Sequence, residues 1–282
     1  HGTTCTISDM AKAASRKGLK LLGITDHGPG TLAAGTSSYF RSLTYAPKKR
    51  FGIELLFGVE LNILDIDGHL DLNDELLGEL DYAIASMHAQ NYKSGTIEEN
   101  TSAYLNAMTH PCVKVLGHCD NPAFPVDYET LAVGAKENGV IFEINEASLA
   151  PYGYRGDTRA NNQEILKYCM KYEIPIVLSS DSHGVEHIGD FTCAAEFVHE
   201  MMFSEKMIEK YLTWTEQKGR FLKLFALAIF LPVAPDDFLC YLAGTTNMTW
   251  KQFVAVIFLG KPFSIALYSL GLTTLFQVIF HL

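Results

Sequence analysis

The stretch LKLLGITDHGPG, residues 19–30, decides the fold class of this chain. It begins with an apolar run typical of a buried strand and ends in Asp26 and His27, before a turn rich in glycine and proline. Five further apolar runs follow at residues 53–61, 82–87, 113–117, 140–144 and 174–180. Apolar strands that alternate with helix-length segments predict a parallel α/β sheet or barrel.

Amphipathic segments between these runs predict helices over residues 9–17, 97–108, 128–138 and 162–172. For the first helix we expect Ser8 to be the N-cap, and Gly18 lies just beyond the predicted end. The alternation extends to about residue 200.

Composition excludes some classes of protein. The 282 residues include 22 Lys+Arg and 32 Asp+Glu, for a formal net charge of −10. Without a basic run, this balance disfavours binding to nucleic acid. The six cysteines lie far apart with no CxxC pair, which favours a reducing compartment.

The last part of the chain has a different composition. Residues 263–282 contain no Asp, Glu, Lys or Arg, and a helix of 20 residues spans the ~30 Å hydrocarbon core of a bilayer. Residues 224–235 are apolar but short and contain two prolines, which favours a re-entrant segment. The alternative is that both stretches are buried helices of a soluble domain.

Polar residues that can bind metals stand at the end of one predicted strand after another. A single histidine in such a place is more often structural, but the joint occurrence indicates a site, because the carboxyl ends of parallel strands converge. Burying so many imidazoles and carboxylates without a cation would be costly. The strand-end residues are Asp26, His27, Glu60, His88, His118, Glu143, Asn145, Asp181 and His183.

Imidazole and carboxylate together suit zinc, manganese or iron better than calcium. A carboxylate such as Glu60 can bridge two ions, an arrangement that activates water and binds a phosphoryl group. The pattern therefore indicates metal-assisted hydrolysis.

Six motifs resemble those of the polymerase and histidinol phosphatase (PHP) superfamily. They are GITDHGPG (23–30), GVELNILDIDG (58–68), SMHAQ (86–90), LGHCDNP (116–122), FEINEASL (142–149) and SSDSHGVEHIGDF (179–191). The resemblance implies an α/β fold of the PHP type, a distorted (β/α)7 TIM-like barrel, over residues 1–205. It also implies a phosphatase that hydrolyses a phosphate monoester with a metal-activated water in a multinuclear site.

Carried over by position, the resemblance implies catalytic roles for Glu60, Asp181 and His183. The metal ligands that it implies are His1, His27, Glu60, His88, His118, Asp181 and His183. The family's opening His-x-His motif is missing, and the chain starts at His1, so we expect its natural start to be absent. The family binds up to three divalent ions, zinc, manganese or iron, and we expect fewer here, because Glu60 and Asp181 would hold one of them alone. Two ligand sets could survive: His1 with His27 and His183, and Glu60 with His88 and His118.

Arg155 resembles a phosphate-facing arginine of this branch, so it is the expected contact to a phosphorylated small-molecule substrate. The alternative is an ordinary solvated arginine in a loop. Structural or surface roles are predicted for five other residues: His69, His110, Cys119, His187 and His199.

Residues 225–272 resemble the DedA-like (VTT, SNARE-associated) membrane family, through a PxxPDD core at 232–237, YLAG at 241–244 and GKP at 260–262. The resemblance implies an all-α membrane segment over 220–282, joined to the phosphatase part by 206–219. It predicts a cytoplasmic catalytic domain tethered to the inner or plasma membrane. Both halves are incomplete near the junction, so a joined or truncated reading frame is one interpretation and a genuine membrane-tethered phosphatase is another.

The leading hypothesis is thus a metal-dependent phosphatase. One alternative is a partial DedA-like protein for lipid or solute transport with an inactive phosphatase remnant. Another is a module that binds metal without catalysis.

Overall fold

The computed structural model describes residues 5–32, 34–208, 254, 257 and 258. The chain divides into two compact units, His1–Tyr211 and Leu212–Leu282. Among the described residues, no helix combines the length and the apolar character needed to cross a bilayer. The predicted span at 263–282 and the predicted re-entrant segment at 224–235 lie outside the described residues.

The described part of the first unit contains two sheets. In the first, β1 (Leu21–Ile24) pairs in parallel with β3 (Ile53–Phe57), and β2 (Lys49–Arg50) pairs antiparallel to β3. The second sheet has five parallel strands in chain order: β4 (Val59–Asn62), β5 (Ala83–Ser86), β6 (Val113–Leu116), β7 (Ile141–Asn145) and β8 (Ile176–Ser179). This mixed α/β fold with a parallel sheet confirms the predicted class.

Helices connect the strands. They are α1 (Ile7–Arg16), α2 (Ser37–Thr44), α3 (Asp74–Glu79), α4 (Ile97–Ala107), α5 (Tyr128–Asn138), α6 (Glu146–Leu149), α7 (Arg159–Tyr172) and α8 (Thr192–Glu200), with a short 3-10 turn at Glu205–Met207. The prediction for α5 is confirmed at both ends. Asp127 caps its N-terminus, and Gly139 follows it in the left-handed conformation that a glycine adopts without strain.

The N-cap expected for α1 is wrong. The helix begins two residues earlier than predicted, and Thr6 rather than Ser8 is the cap. The Thr6 hydroxyl accepts from the Asp9 N–H at 3.2 Å, and the Asp9 carboxylate accepts from the Thr6 N–H at 2.9 Å. This reciprocal capping box satisfies two backbone donors, whereas capping by Ser8 would satisfy one.

The single strand predicted over 53–61 is also wrong, because the structure divides it at Gly58 into β3 and β4. A side-chain Cβ at Gly58 would lie 2.6 Å from the carbonyl oxygen of Tyr82 and 3.1 Å from Thr25. The chain therefore needs a glycine where it leaves one sheet and enters the other.

The apolar core consists of strand residues that pack against the helices. Large, fully buried side chains include Phe57 of β3, Tyr104 of α4, Phe142 of β7 and Phe197 of α8. With the strands of the second sheet all parallel, their carboxyl ends lie along one edge. The polar residues that follow the strands are therefore brought together at this edge.

Candidate metal centre

The strand ends supply the residues of the site. A parallel bridge joins His27, just after β1, to Glu60 in β4. The Glu60 N–H donates to the Asp26 carbonyl at 3.0 Å, and the Gly28 N–H donates to the Glu60 carbonyl at 2.7 Å. His88 and His118 each follow their strand, β5 and β6, by two residues. The backbone ladder thus sets which imidazole faces the Glu60 carboxylate.

Three imidazoles surround the Glu60 carboxylate. His118 Nε2 lies 2.9 Å and His88 Nε2 3.3 Å from Glu60 Oε1, while His27 Nδ1 lies 3.4 Å from Oε2. The two Nε2 atoms of His88 and His118 are only 3.2 Å apart. Two ring nitrogens that face each other and one carboxylate need a shared proton or cation between them. The donor set therefore fits a divalent ion.

A second group surrounds Asp181, which follows β8. Arg155 Nη2 lies 2.7 Å from Asp181 Oδ2, and Asn145 Nδ2 donates to the same oxygen at 3.1 Å. The Arg155 side chain is only 4% exposed. His183 lies at the edge of this group, with Nδ1 3.8 Å from Asp181 Oδ1 and its ring centroid 6.1 Å from that of His27. Its side chain is 41% exposed.

Arg155 is held by four partners. Besides Asp181, its guanidinium donates to Asn145 Oδ1 at 3.4 Å, to Ser148 Oγ at 3.2 Å and to the Tyr154 hydroxyl at 3.1 Å. The alternative that Arg155 is an ordinary solvated loop arginine is therefore wrong.

Glu143 of β7 is buried between the two groups. Its Oε2 accepts from the backbone N–H of His118 at 2.7 Å and from Asn145 Nδ2 at 3.1 Å. Its Oε1 accepts from Ser179 Oγ at 2.5 Å. Glu143 therefore contacts the backbone of one strand end and side chains of two others.

The surroundings shift the pKa values of the buried carboxylates in different directions. Burial acts to raise the pKa of Glu60, but the hydrogen bond from His118 and the close contact with His88 bring that pKa well below its usual value. Burial and the Glu60 charge oppose ionisation of Asp181, yet the Arg155 charge leaves the pKa of Asp181 lowered. Burial raises the pKa of Glu143. The surroundings therefore stabilise the anionic forms of Glu60 and Asp181 and oppose the ionisation of Glu143.

The histidines also respond to their surroundings. Burial lowers the pKa of His27 in spite of the nearby Glu60. Burial and Arg155 act to lower the pKa of His118, but the hydrogen bond and charge of Glu60 raise it overall.

The structure brings most of the strand-end residues that the sequence singles out into these two groups, whereas the Asp26 carboxylate accepts from the Tyr39 hydroxyl. His27, Glu60 and His88 form a group whose possible ligand atoms lie within 4.8 Å of one another, and His118 contacts two of them. His27, from the first predicted ligand set, thus contacts Glu60 of the second set. His1 lies outside the described residues.

Sequence reasoning missed Asn62 and Asp71 altogether, and it noted Glu143 and Asn145 only as strand-end residues. Asn62 lies at the end of β4, a strand that is buried along its whole length. A polar residue in an apolar strand is uncommon, and this was a signal that could have identified Asn62. Asp71 lies in a turn, and nothing in the local sequence distinguishes it.

Two residues for which the sequence predicts structural or surface roles have surroundings that fit those roles. Cys119 is buried, and this burial raises the pKa of its thiol well above the usual value, which disfavours a nucleophilic role. His69 lies on an exposed turn, where its Nδ1 is 2.8 Å from Asp65 Oδ2.

Comparison with known proteins gives two family matches. The PHP domain matches residues 1–149, and the VTT domain matches residues 188–273. A "Probable phosphatase" of Clostridium novyi is 39% identical over 220 residues, which cover 76% of this chain and 89% of that protein. A "Probable phosphatase" of Clostridium acetobutylicum is 36% identical over 227 residues, which cover 79% of this chain and 92% of that protein.

Among solved structures, one similar chain is a histidinol phosphate phosphatase from Lactococcus lactis in complex with zinc, L-histidinol and phosphate. It is 17% identical with a TM-score of 0.47, and the match covers 72% of this chain and 90% of that chain. This likeness is too distant to support a functional argument.

Proposed function

This chain belongs to the PHP-domain family, and from that premise we propose that it is a metal-dependent phosphatase that hydrolyses phosphate monoesters. The observation that carries the proposal is the buried Glu60 carboxylate with three imidazoles within 3.4 Å. Relatives of this chain named probable phosphatases support the substrate class.

The residues that would hold divalent ions are His27, Glu60, His88, His118, Asp181 and His183, with His1 as a further ligand. A bound divalent ion would supply an activated water and positive charge that neutralises the phosphate oxygens. Imidazole and carboxylate donors suit zinc, manganese or iron, and the family pattern allows up to three ions. No serine or cysteine nucleophile is needed in this chemistry.

Arg155 is the proposed contact to the substrate phosphate. A guanidinium pairs with two phosphate oxygens as readily as with a carboxylate, so a phosphate dianion would compete with Asp181 for the Nη edge. The contacts to Asn145 and Ser148 keep the guanidinium at the strand ends during this exchange.

The finer fold proposal is a distorted (β/α)7 barrel. The bridge between Ile176 of β8 and Ile208 supports it, because it places a further segment of chain beside the last parallel strand. The VTT match supports association of the C-terminal part with a membrane. It also favours a second candidate function, lipid or solute transport by that part with an inactive phosphatase remnant.

The test uses the chain of residues 1–282, purified in detergent. Metal content is measured by elemental analysis, and hydrolysis of p-nitrophenyl phosphate is measured with added Mn²⁺ or Zn²⁺. We expect bound metal and turnover. His88→Ala should lower kcat by about 100-fold or more, because it removes a proposed ligand of the ion that would activate water, and loss of transition-state charge stabilisation costs about 10²–10³ in kcat. His199→Ala, an exposed histidine of α8, is the matched control and should leave kcat unchanged.

The outcomes separate the alternatives. Stoichiometric metal without turnover would contradict the phosphatase and favour the non-catalytic metal-binding module. Neither metal nor turnover would leave the VTT part as the functional one.

A further inference from the structure

Asn62 joins the proposed ligand His88 to Asp71. Its Oδ1 lies 2.7 Å from His88 Nδ1, and its Nδ2 donates to Asp71 Oδ2 at 2.5 Å. Asn62 is fully buried. The three side chains form one continuous line of hydrogen bonds, which we call the Asp71 relay.

The charge of Asp71 decides which way the Asn62 amide points. An ionised carboxylate can only accept hydrogen bonds, so the Asn62 NH2 group must face Asp71 and the Asn62 carbonyl must face His88. The same carbonyl accepts from Asn91 Nδ2 at 2.9 Å and from Thr31 Oγ1 at 3.1 Å, which agrees with this orientation.

The orientation of the amide in turn decides the tautomer of His88. A carbonyl oxygen accepts, so the proton of a neutral His88 ring lies on Nδ1. Its Nε2 then carries the lone pair, which faces His118 Nε2 at 3.2 Å and can accept that atom's proton when no metal is bound. Ligating histidines are commonly fixed in this way by a partner on the other ring nitrogen.

Asp71 also connects the loop after His27 to strand β4, which contains Asn62. Its Oδ2 accepts from the Gly30 N–H at 2.8 Å, and its Oδ1 accepts from the Asn62 N–H at 3.0 Å. A Cβ at Gly28 would collide with the Asp71 carboxylate. The carboxylate thus lies against the loop that follows one ligand while it orients another.

We propose that Asp71 is a positioning residue, which sets the Nδ1–H tautomer of His88 through Asn62 and so presents Nε2 for metal binding. This inference rests on the proposed metal-binding role of His88.

The test compares the Zn²⁺ affinity of variants of the 282-residue chain by titration calorimetry. In Asp71→Asn, the new amide can donate, so the Asn62 amide is free to turn its NH2 group toward His88 and favour the wrong tautomer. We expect affinity to fall by about 10- to 100-fold, the usual effect of losing an outer partner of a ligand. Asp127→Asn, at the α5 N-cap, is the matched control and should bind Zn²⁺ like the unsubstituted chain.

The decisive variant exchanges the amide of residue 62 and the carboxylate of residue 71. Asn62→Asp combined with Asp71→Asn puts an obligatory acceptor beside His88 again, so it should restore most of the lost affinity. A merely structural role for Asp71 predicts no such rescue. The proposal would be overturned if the single and double variants bound Zn²⁺ equally weakly, or if Asp71→Asn bound Zn²⁺ as tightly as the unsubstituted chain.

A measurement on the unsubstituted, metal-free protein does not depend on how the variants fold. The ¹⁵N shifts of labelled histidine distinguish the two tautomers, and His88→Gln assigns the signal. An Nδ1–H signal from His88 is expected, and an Nε2–H signal would overturn the relay. If the protein bound no metal, the proposed function would fail. The tautomer of His88 in the metal-free protein would still show whether Asp71 orients this ring.

Discussion

Two proposed ligands have backbone conformations that are uncommon for residues other than glycine. His118 has φ 27° and Asp181 has φ 43°, and each follows its strand by two residues. Such left-handed residues cost about 1–3 kcal/mol each and persist where surrounding contacts over-determine them. At His118 this contact is the backbone N–H that donates to Glu143. Glu143 therefore positions a ligand through the backbone.

At the same scale, the Arg155–Asp181 pair makes a testable prediction. Arg155→Met leaves the Asp181 carboxylate buried near Glu60 and Glu143 without its cation. We expect the free energy of unfolding of the metal-free protein to fall by about 3–5 kcal/mol, as when one partner of a buried pair is removed. Chemical denaturation followed by circular dichroism in EDTA measures this change.

Arg159→Met is the matched control for that prediction. Its partner Glu200 is 60% exposed, so the loss should stay below about 1 kcal/mol. Equal effects of the two substitutions would contradict a special role for the buried pair.

At the scale of elements, Gly58 is the single residue that separates the end of β3 from the start of β4. We expect Gly58→Ala to lower the free energy of unfolding by about 1–3 kcal/mol, because the added methyl group overpacks against the Tyr82 carbonyl. Denaturant titration measures the change.

Gly78→Ala provides the comparison, since Gly78 is helical and a Cβ there meets nothing within 4 Å. This substitution should raise the free energy of unfolding by up to about 1 kcal/mol. A loss at Gly78 equal to that at Gly58 would show that close packing is not the cause.

At the scale of the whole molecule, α8 belongs to the packing of the first unit although the VTT match already begins at residue 188. The buried Glu146 carboxylate accepts from the N–H groups of Cys193 and Ala194 at 3.0 and 2.8 Å. Phe197 is part of the core. The start of α8 thus pairs with α6, directly after β7.

We therefore predict that a chain ending at Tyr211 folds cooperatively, whereas one ending at residue 187 does not. The shorter chain loses Phe197 from the core and the two N–H groups that donate to Glu146, at a cost of several kcal/mol. Thermal unfolding followed by circular dichroism tests this. Similar melting curves for both chains would contradict the assignment of α8 to the first unit.

Much of the fold follows from local patterns. The apolar runs predict the parallel strands, and Asp127 and Gly139 bound α5 as local capping signals. The run at 53–61 misleads, because Gly58 marks an irregularity in the strand without showing that the chain changes sheet there. Ser8 misleads as well, because Thr6 and Asp9 can pair reciprocally and this pairing wins over a single cap.

The sequence by itself determined that imidazoles and carboxylates stand at successive strand ends, because strand periodicity and chain order are local properties. Only the tertiary structure decided which partner each group has. Asp181 meets Arg155 across 26 positions, and His88 meets Asn62 across 26. Such pairs depend on strand register and loop paths, which are set by the packing of the whole sheet. The Asp71 relay is of this kind, since the proton on His88 is placed by a carboxylate that it does not touch.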